Sequence, residues 1–403
     1  MYALASGLEG PLGRGNHATV WGATRVQPSN VDGEDGGEQR GEGGRGSLPP
    51  GSPSCCASTG TCGETGGGSS ELPPSCACTL VLKRRFRQTS SAGLVESREV
   101  AFYRSVENLH GAVAHPHLLR LENVLYTWPV GLTGVGDSLK SPAPTRGVDE
   151  TLVLVPALAG TAREWAERRW FSRGLRVPLS WVGLVMHGVM CALAEVHRLG
   201  WVHRGVTLDN VLLSADTNPP RIVLGGFGHV HSAGEAADVS LTPAHARSPE
   251  ALTGQAKQAE PAQDIWAAGT ILGHLLLGRP VFLHDAVGRA APGAEIADDL
   301  RVLEGIVRAV GLDCGPLLSA AASKSSVARD ASRPDGPSAL VRPSHSLDRL
   351  LAPSHAKTLL LNMLSSDPAV RPTADACLES PFLCNWSHEK PKEREALIAR
   401  LIR

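Results

Sequence analysis

The chain has 403 residues, 42% of them hydrophobic and 20% charged, with 4% aromatic residues, 44 glycines and 29 prolines. That length can bury a large core, while so much Gly and Pro leads one to expect that some segments stay unfolded. The formal net charge of -1 gives no electrostatic basis for nucleic acid or an anionic membrane as a partner.

The first residues, MYALASGLEGPLGRG, lack the basic stretch and long apolar run of a secretory signal. The most apolar window, GTILGHLLLGRPVFL, is too short and too interrupted to span a bilayer. The expectation is an intracellular protein, cytoplasmic or nuclear. Of nine cysteines, Cys55, Cys56, Cys62, Cys76 and Cys78 fall in one low-complexity stretch, without the paired C-x-x-C units a zinc site would need. They read as solvated thiols, and Cys191, Cys314, Cys377 and Cys384 as small packing residues.

Two strands are expected at ATVWGATRV and CTLVLKRRF, separated by an insert over about 26–78 that has almost no periodic apolar residues. A long insert at a hairpin tip is tolerable, because the closure cost grows only logarithmically. GLVESREVAFYRSVENL has helical spacing, with Val100, Phe102, Tyr103 and Val106 near one face. HPHLLRLENVLYTW and DETLVLVPALAG read as a strand pair around a polar loop. Leu179 to Leu199 is an amphipathic helix with Leu184, Val185, Val189, Leu193 and Val196 at helical spacing. Short strands follow at NVLLS and RIVLGG. Helical patterns then dominate, at DIWAAGTILGHLLLG, DDLRVLEGIVRAVG, HAKTLLLNMLSSD and TADACLESPFL, with a low-complexity insert at about 323–344. The terminal KPKEREALIARLIR is a charged amphipathic helix expected to pack on the helical part. Strands first and helices later predict a small β-rich lobe on a larger helical one.

Several pieces carry chemistry. In LGRGNHATVWGA, Gly13 and Gly15 would let backbone amides approach phosphates, while Ala18 stands in the third position of that spacing. Lys83 ends the run LVLK and can neutralise phosphate charge if a helix carboxylate orients it; Glu99 is the first candidate and Glu96 the second. In WVHRGVTLDNVLL, His203, Arg204 and Asn210 frame a loop whose central position is Gly205.

In this order the pieces resemble a eukaryotic protein kinase, over nearly all of residues 8–384 apart from the inserts. GRGNHATV is similar to the glycine-rich loop, LVLK to the strand lysine motif, and REVAFYR…HPHLLRL to the regulatory helix and next strand. VHRGVTLDNVLL resembles the catalytic loop, GGFG the metal-binding tripeptide, ARSPEAL the end of the activation segment, and DIWAAG and DPAVRPTADACLESPFL the lower-lobe blocks. LLLGRPVF…ADDLRVLEGIVRAVG is similar to the cyclin-dependent and MAP-kinase-like group. The resemblance implies an α+β, bilobal fold. A β-rich N-lobe with one regulatory helix would occupy about 8–155, a mainly helical C-lobe about 159–384, and a tail helix 385–403. It implies that Glu250 pairs with Arg371, and that Asp264 holds the catalytic-loop backbone. It implies ATP as the cofactor, held by Gly13, Gly15, Val20, Val81, Lys83, Glu99 and Asn210; Val81, where the family prefers alanine, narrows the adenine side.

The chain departs from the family where the reaction occurs. Phosphoryl transfer needs a carboxylate for the acceptor hydroxyl and metal ions on the phosphates. Gly205 stands for the catalytic aspartate, Thr207 for the lysine that stabilises the transferring phosphate, and Gly226 for the metal-binding aspartate. Asn210 alone is left as a metal ligand, which argues against Mg2+. Asp209 is the nearest surrogate carboxylate, and its side chain is expected to point away from an acceptor. Arg204 would contact a phosphorylated activation segment, in which Ser240 and Thr242 are the candidate acceptors. The expected function is a catalytically inactive pseudokinase, a scaffold or allosteric regulator of protein partners that retains ATP binding. The alternatives are an active serine/threonine kinase with relocated residues and a nucleotide sensor without turnover.

Overall fold

The computed structural model describes residues 2–4, 13–14, 19–25, 80–88, 96–110, 115–127, 147–155, 158–214, 221–238, 242–282, helical turns between 302 and 310, and 347–388. Both low-complexity inserts, the polar loop between the expected strand pair, Gly15, Ala18, Ser240, Cys314 and the basic tail from 389 lie outside the described residues.

The N-terminal part is a six-stranded antiparallel sheet. Its strands are β1 (Tyr2–Leu4), β2 (Gly13–Arg14), β3 (Thr19–Arg25), β4 (Leu80–Gln88), β5 (Arg120–Thr127) and β6 (Gly147–Val155). Their order is β1-β3-β4-β6-β5, with β2 also on β3. β1 therefore places residues before 8 in the sheet. The register aligns Gly13 with Val20, Val20 with Lys83, and Lys83 with Leu152, a row running straight across the sheet. Alternation along β4 sends Val81 into the main core, whereas Leu82 joins Val153 and Leu125 in a separate small cluster. Among the described residues of this lobe the helix is α1 (Arg98–His110), which buries Glu99, Val100, Phe102 and Tyr103. It starts at Arg98, later than the apolar spacing suggests.

The rest is mainly helical, with α2 (Ala162–Arg169), α3 (Leu179–Arg198), α4 (Pro249–Leu252), α5 (Pro261–Leu277), α6 (Leu347–Leu350), α7 (His355–Met363), α8 (Ala374–Leu378) and α9 (Pro381–His388). A capping box starts α2: Glu164 N–H donates to Thr161 Oγ1 at 3.1 Å, and Thr161 N–H to the Glu164 carboxylate at 3.0 Å. The strand β7 (Leu158–Thr161) pairs with β9 (Val211–Ser214), which also pairs with β10 (Ile222–Leu224). β8 (Trp201–Val202) pairs with β11 (His231–Ser232).

α3 is buried on more sides than its amphipathic pattern suggests. Trp181, Val182, Met186 and Met190 are as inaccessible as Val185, Val189 and Leu193, because α5, α8, α9 and β10 all pack on it. Among the described residues it is also the apolar helix of membrane-spanning length, at 20 residues and mean hydropathy 1.6, rather than the window around Ile271. With 67% of that apolar window buried among other elements, it serves as a core helix. One core runs from Val81 and α1 through Phe227 to Leu383, so the two lobes share apolar contacts. Backbone bonds join them too: Leu224 N–H donates to His117 O at 2.8 Å, and Leu119 N–H to Leu224 O at 3.1 Å.

Candidate functional site: a kinase cleft without its carboxylates

Lys83 on β4 and Glu99 on α1 meet at 2.8 and 2.9 Å, as the lysine–orienter reading expects. Glu96 instead pairs with Arg104 at 2.9 Å. The sequence reading missed a second layer. Arg85, two residues along β4 and so on the same face, donates to Glu99 at 3.1 Å and, through Nε, to Glu150 at 2.6 Å. Ser97 also donates to Glu150, at 3.1 Å. Glu99 and Glu150 are inaccessible carboxylates, and two cations on β4 compensate them. The available signal was register, since Arg85 lies opposite Glu150 in the β4–β6 pairing.

Phe227 seats this lobe on the next. Its ring stacks on Phe102 at 4.3 Å and meets Tyr103 and His203 at 5.5 and 4.7 Å. His203 accepts from Gly205 N–H through Nδ1 at 3.1 Å and donates from Nε2 to Gly225 O at 2.8 Å. Those two bonds fix the neutral Nε2–H tautomer, and burial holds its pKa below the usual histidine value. Asp264, at the start of α5, accepts from the backbone N–H groups of His203 and Arg204, each at 2.8 Å, and from His197 at 3.0 Å. Burial pushes the Asp264 carboxyl pKa up, but the His197 hydrogen bond and the nearby imidazoles outweigh it, so the pKa lies below the ordinary value. His197, another residue not singled out from sequence, thus helps hold the loop. Arg204 adopts a left-handed backbone, φ 61°, inside this clamp.

The loop's reactive positions are empty of acid. Gly205, Thr207 and Gly226 lie around Asn210, whose Nδ2 donates to Gly205 O at 2.7 Å. Gly226 has φ 80°, and a Cβ there would sit 2.3–2.6 Å from the Asn210 side chain. Any side chain at this position would require the Asn210 amide, the end of a movable side chain, to shift. Gly205 differs: a Cβ there meets its neighbours at 3.5 Å, ordinary contact. Asp209 is turned to Arg163 Nε at 2.6 Å and is half exposed, so the surrogate carboxylate is already engaged outside the loop centre. Magnesium does not fit this set, since hard cations want several oxygen ligands and the loop supplies one side-chain amide. On the sheet side, Val81 is buried, and Gly228 lies next to Lys83. Gly13 and Val20 are placed as paired strand residues, and Gly15 is outside the described residues.

The activation segment closes over Arg204. Its guanidinium binds the Asp238 carbonyl and comes within 3.1 Å of His231, and Thr242 donates to Arg204 O at 2.8 Å. Below it, Glu250 and Arg371 form a bidentate pair with both contacts at 2.7 Å. Among the remaining cysteines, Cys377 is fully buried, which raises its thiol pKa to about 12.

The family model described as protein kinase domain matches residues 108–383, more than half of the chain. The matched span holds the Asp264 clamp, the Glu250–Arg371 pair and Phe227, while Lys83, Glu99, Phe102 and Tyr103 precede it. By this match and by its two-lobed architecture, the chain belongs to the protein kinase domain family.

Proposed function

We propose that this kinase-fold chain is a pseudokinase: a cytoplasmic or nuclear scaffold or allosteric regulator of a protein partner, holding ATP without transferring its phosphate. The observation that carries the reading is the pair of glycines around Asn210, Gly205 and Gly226, which leave the loop centre without a carboxylate for metal or acceptor. Thr207 adds the loss of the phosphate-stabilising lysine. Losing a general base alone costs roughly 100- to 10,000-fold in rate. By contrast, the intact Lys83–Glu99 pair and buried Val81 support nucleotide retention, with the ammonium facing phosphate and the valine lining the adenine side. ATP would supply charge and a base for the two lobes to close on.

A thermal-melt titration tests this. ATP should raise Tm equally in magnesium and in chelator, with a stabilisation of about 2.7 kcal/mol at one hundred times Kd. Lys83→Ala should reduce that rise. A rise that needs magnesium would refute the metal-independent site.

A further inference from the structure

His187 and Cys191 stand four residues apart on α3, so their side chains share one face of the helix. His117, from the segment between α1 and β5, reaches the same point from the other lobe. One ligand atom from each of the three lies within 4.8 Å of the other two, and all three residues are partly exposed. Cys191 Sγ is 3.7 Å from His187 Nδ1 and 3.9 Å from Nε2. A tetrahedral centre with metal–sulfur and metal–nitrogen bonds of about 2.3 and 2.1 Å puts sulfur and nitrogen about 3.6 Å apart. The Cys191–His187 separation is close to that value.

The histidine opposite is prepared as well. His117 Nδ1 donates to the Ile222 carbonyl at 2.8 Å, which places the ring's lone pair on Nε2. A ring N–H anchored on a backbone carbonyl is the outer support that metal-binding histidines use to fix tautomer and orientation. Ile222 belongs to β10 and is itself buried, so the anchor is rigid. One turn further along α3, Glu195 is bound by His110 at 2.6 Å and by Arg198 at 2.9 Å, so that carboxylate is committed elsewhere.

We propose that His117, His187 and Cys191 form a binding site for a divalent transition metal of the zinc class, with water in the fourth position. Two imidazoles and a thiolate favour zinc or cobalt over magnesium or calcium, which take oxygen ligands. Binding releases the thiol proton to solvent, because the thiolate is the ligand. The bound ion would tie α3 to the segment that follows α1. None of the three residues belongs to the Lys83, Glu99 and Asn210 set.

Cobalt(II) serves as the probe, in the full-length chain with Cys55, Cys56, Cys62, Cys76 and Cys78 changed to serine to silence adventitious thiols. One equivalent should produce a thiolate-to-cobalt charge-transfer band and tetrahedral d–d bands, and zinc should displace it. Cys191→Ser should abolish the charge-transfer band, and His187→Ala should weaken binding about tenfold or more. No such band, or a band that survives Cys191→Ser, overturns the proposal. Should either variant melt early without metal, the unaltered chain decides: saturating zinc must slow alkylation of Cys191, read by peptide mass spectrometry. An unchanged alkylation rate overturns the site.

Discussion

Replacing Arg371 with alanine is expected to destabilise the fold by about 3–5 kcal/mol, the usual consequence of breaking a buried ion pair from one side. The Arg371 side chain has no solvent exposure, and its two terminal nitrogens both reach Glu250. It also donates to the carbonyls of Ser365 at 2.8 Å and Ala262 at 3.0 Å, and lies 5.0 Å from the Trp266 ring centroid. Alanine would leave the Glu250 carboxylate largely buried with no counterion, the end of the activation segment would lose its tie to the lower lobe, and Tm should fall on the order of 10 °C. Replacing both partners with apolar residues of similar size, Glu250→Leu with Arg371→Met, should recover most of the loss, because no charge is then stranded. Urea unfolding of the three proteins measures this. A single-variant loss under about 1 kcal/mol would show that the pair does not hold the lobe.

Gly226→Asp, which places an aspartate at this position, is expected to destabilise by about 1–3 kcal/mol. Aspartate is among the few residues that adopt positive φ readily, so the cost is chiefly that of displacing the Asn210 amide. Asn210 would have to swing away and give up its bond to the Gly205 carbonyl. The penalty should shrink in an Asn210→Ala background, a coupling that a double-mutant cycle reads directly. Gly205→Ala should be tolerated, since that Cβ meets only ordinary contacts. The two glycines thus stand under different constraints: Gly205 has room for a Cβ, and a Cβ at Gly226 requires Asn210 to move. Equal tolerance at both positions would contradict this.

The sequence made the fold readable wherever local pattern and ordered motifs coincided. Period two in β4 and helical spacing in α1 offered Lys83 a carboxylate on α1, Glu99 first and Glu96 second, and the resemblance favoured the pairing that the structure shows. Asp264, Glu250 and Arg371 were legible only through the resemblance, because nothing local tells a buried charge from a solvated one. Pattern ran out where one residue answers to several elements. α3 reads as amphipathic from its strongest stripe, yet neighbours on most sides bury Trp181, Met186 and Met190 as well. Arg85 and Glu150 are adjacent only through strand register, and His197 meets Asp264 only through the packing of α3 on α5. The His117, His187 and Cys191 group escaped notice for the same reason: a helix spacing supplies two of its members, and a lobe contact the third.

The central claim is that the kinase architecture stands while its transfer chemistry is gone. Single-turnover incubation of the full chain with γ-labelled ATP, magnesium or manganese, and generic protein acceptors tests it most directly. The account predicts no label on protein beyond that seen with Lys83→Ala; labelling well above that variant, and abolished by Asp209→Ala, would contradict it.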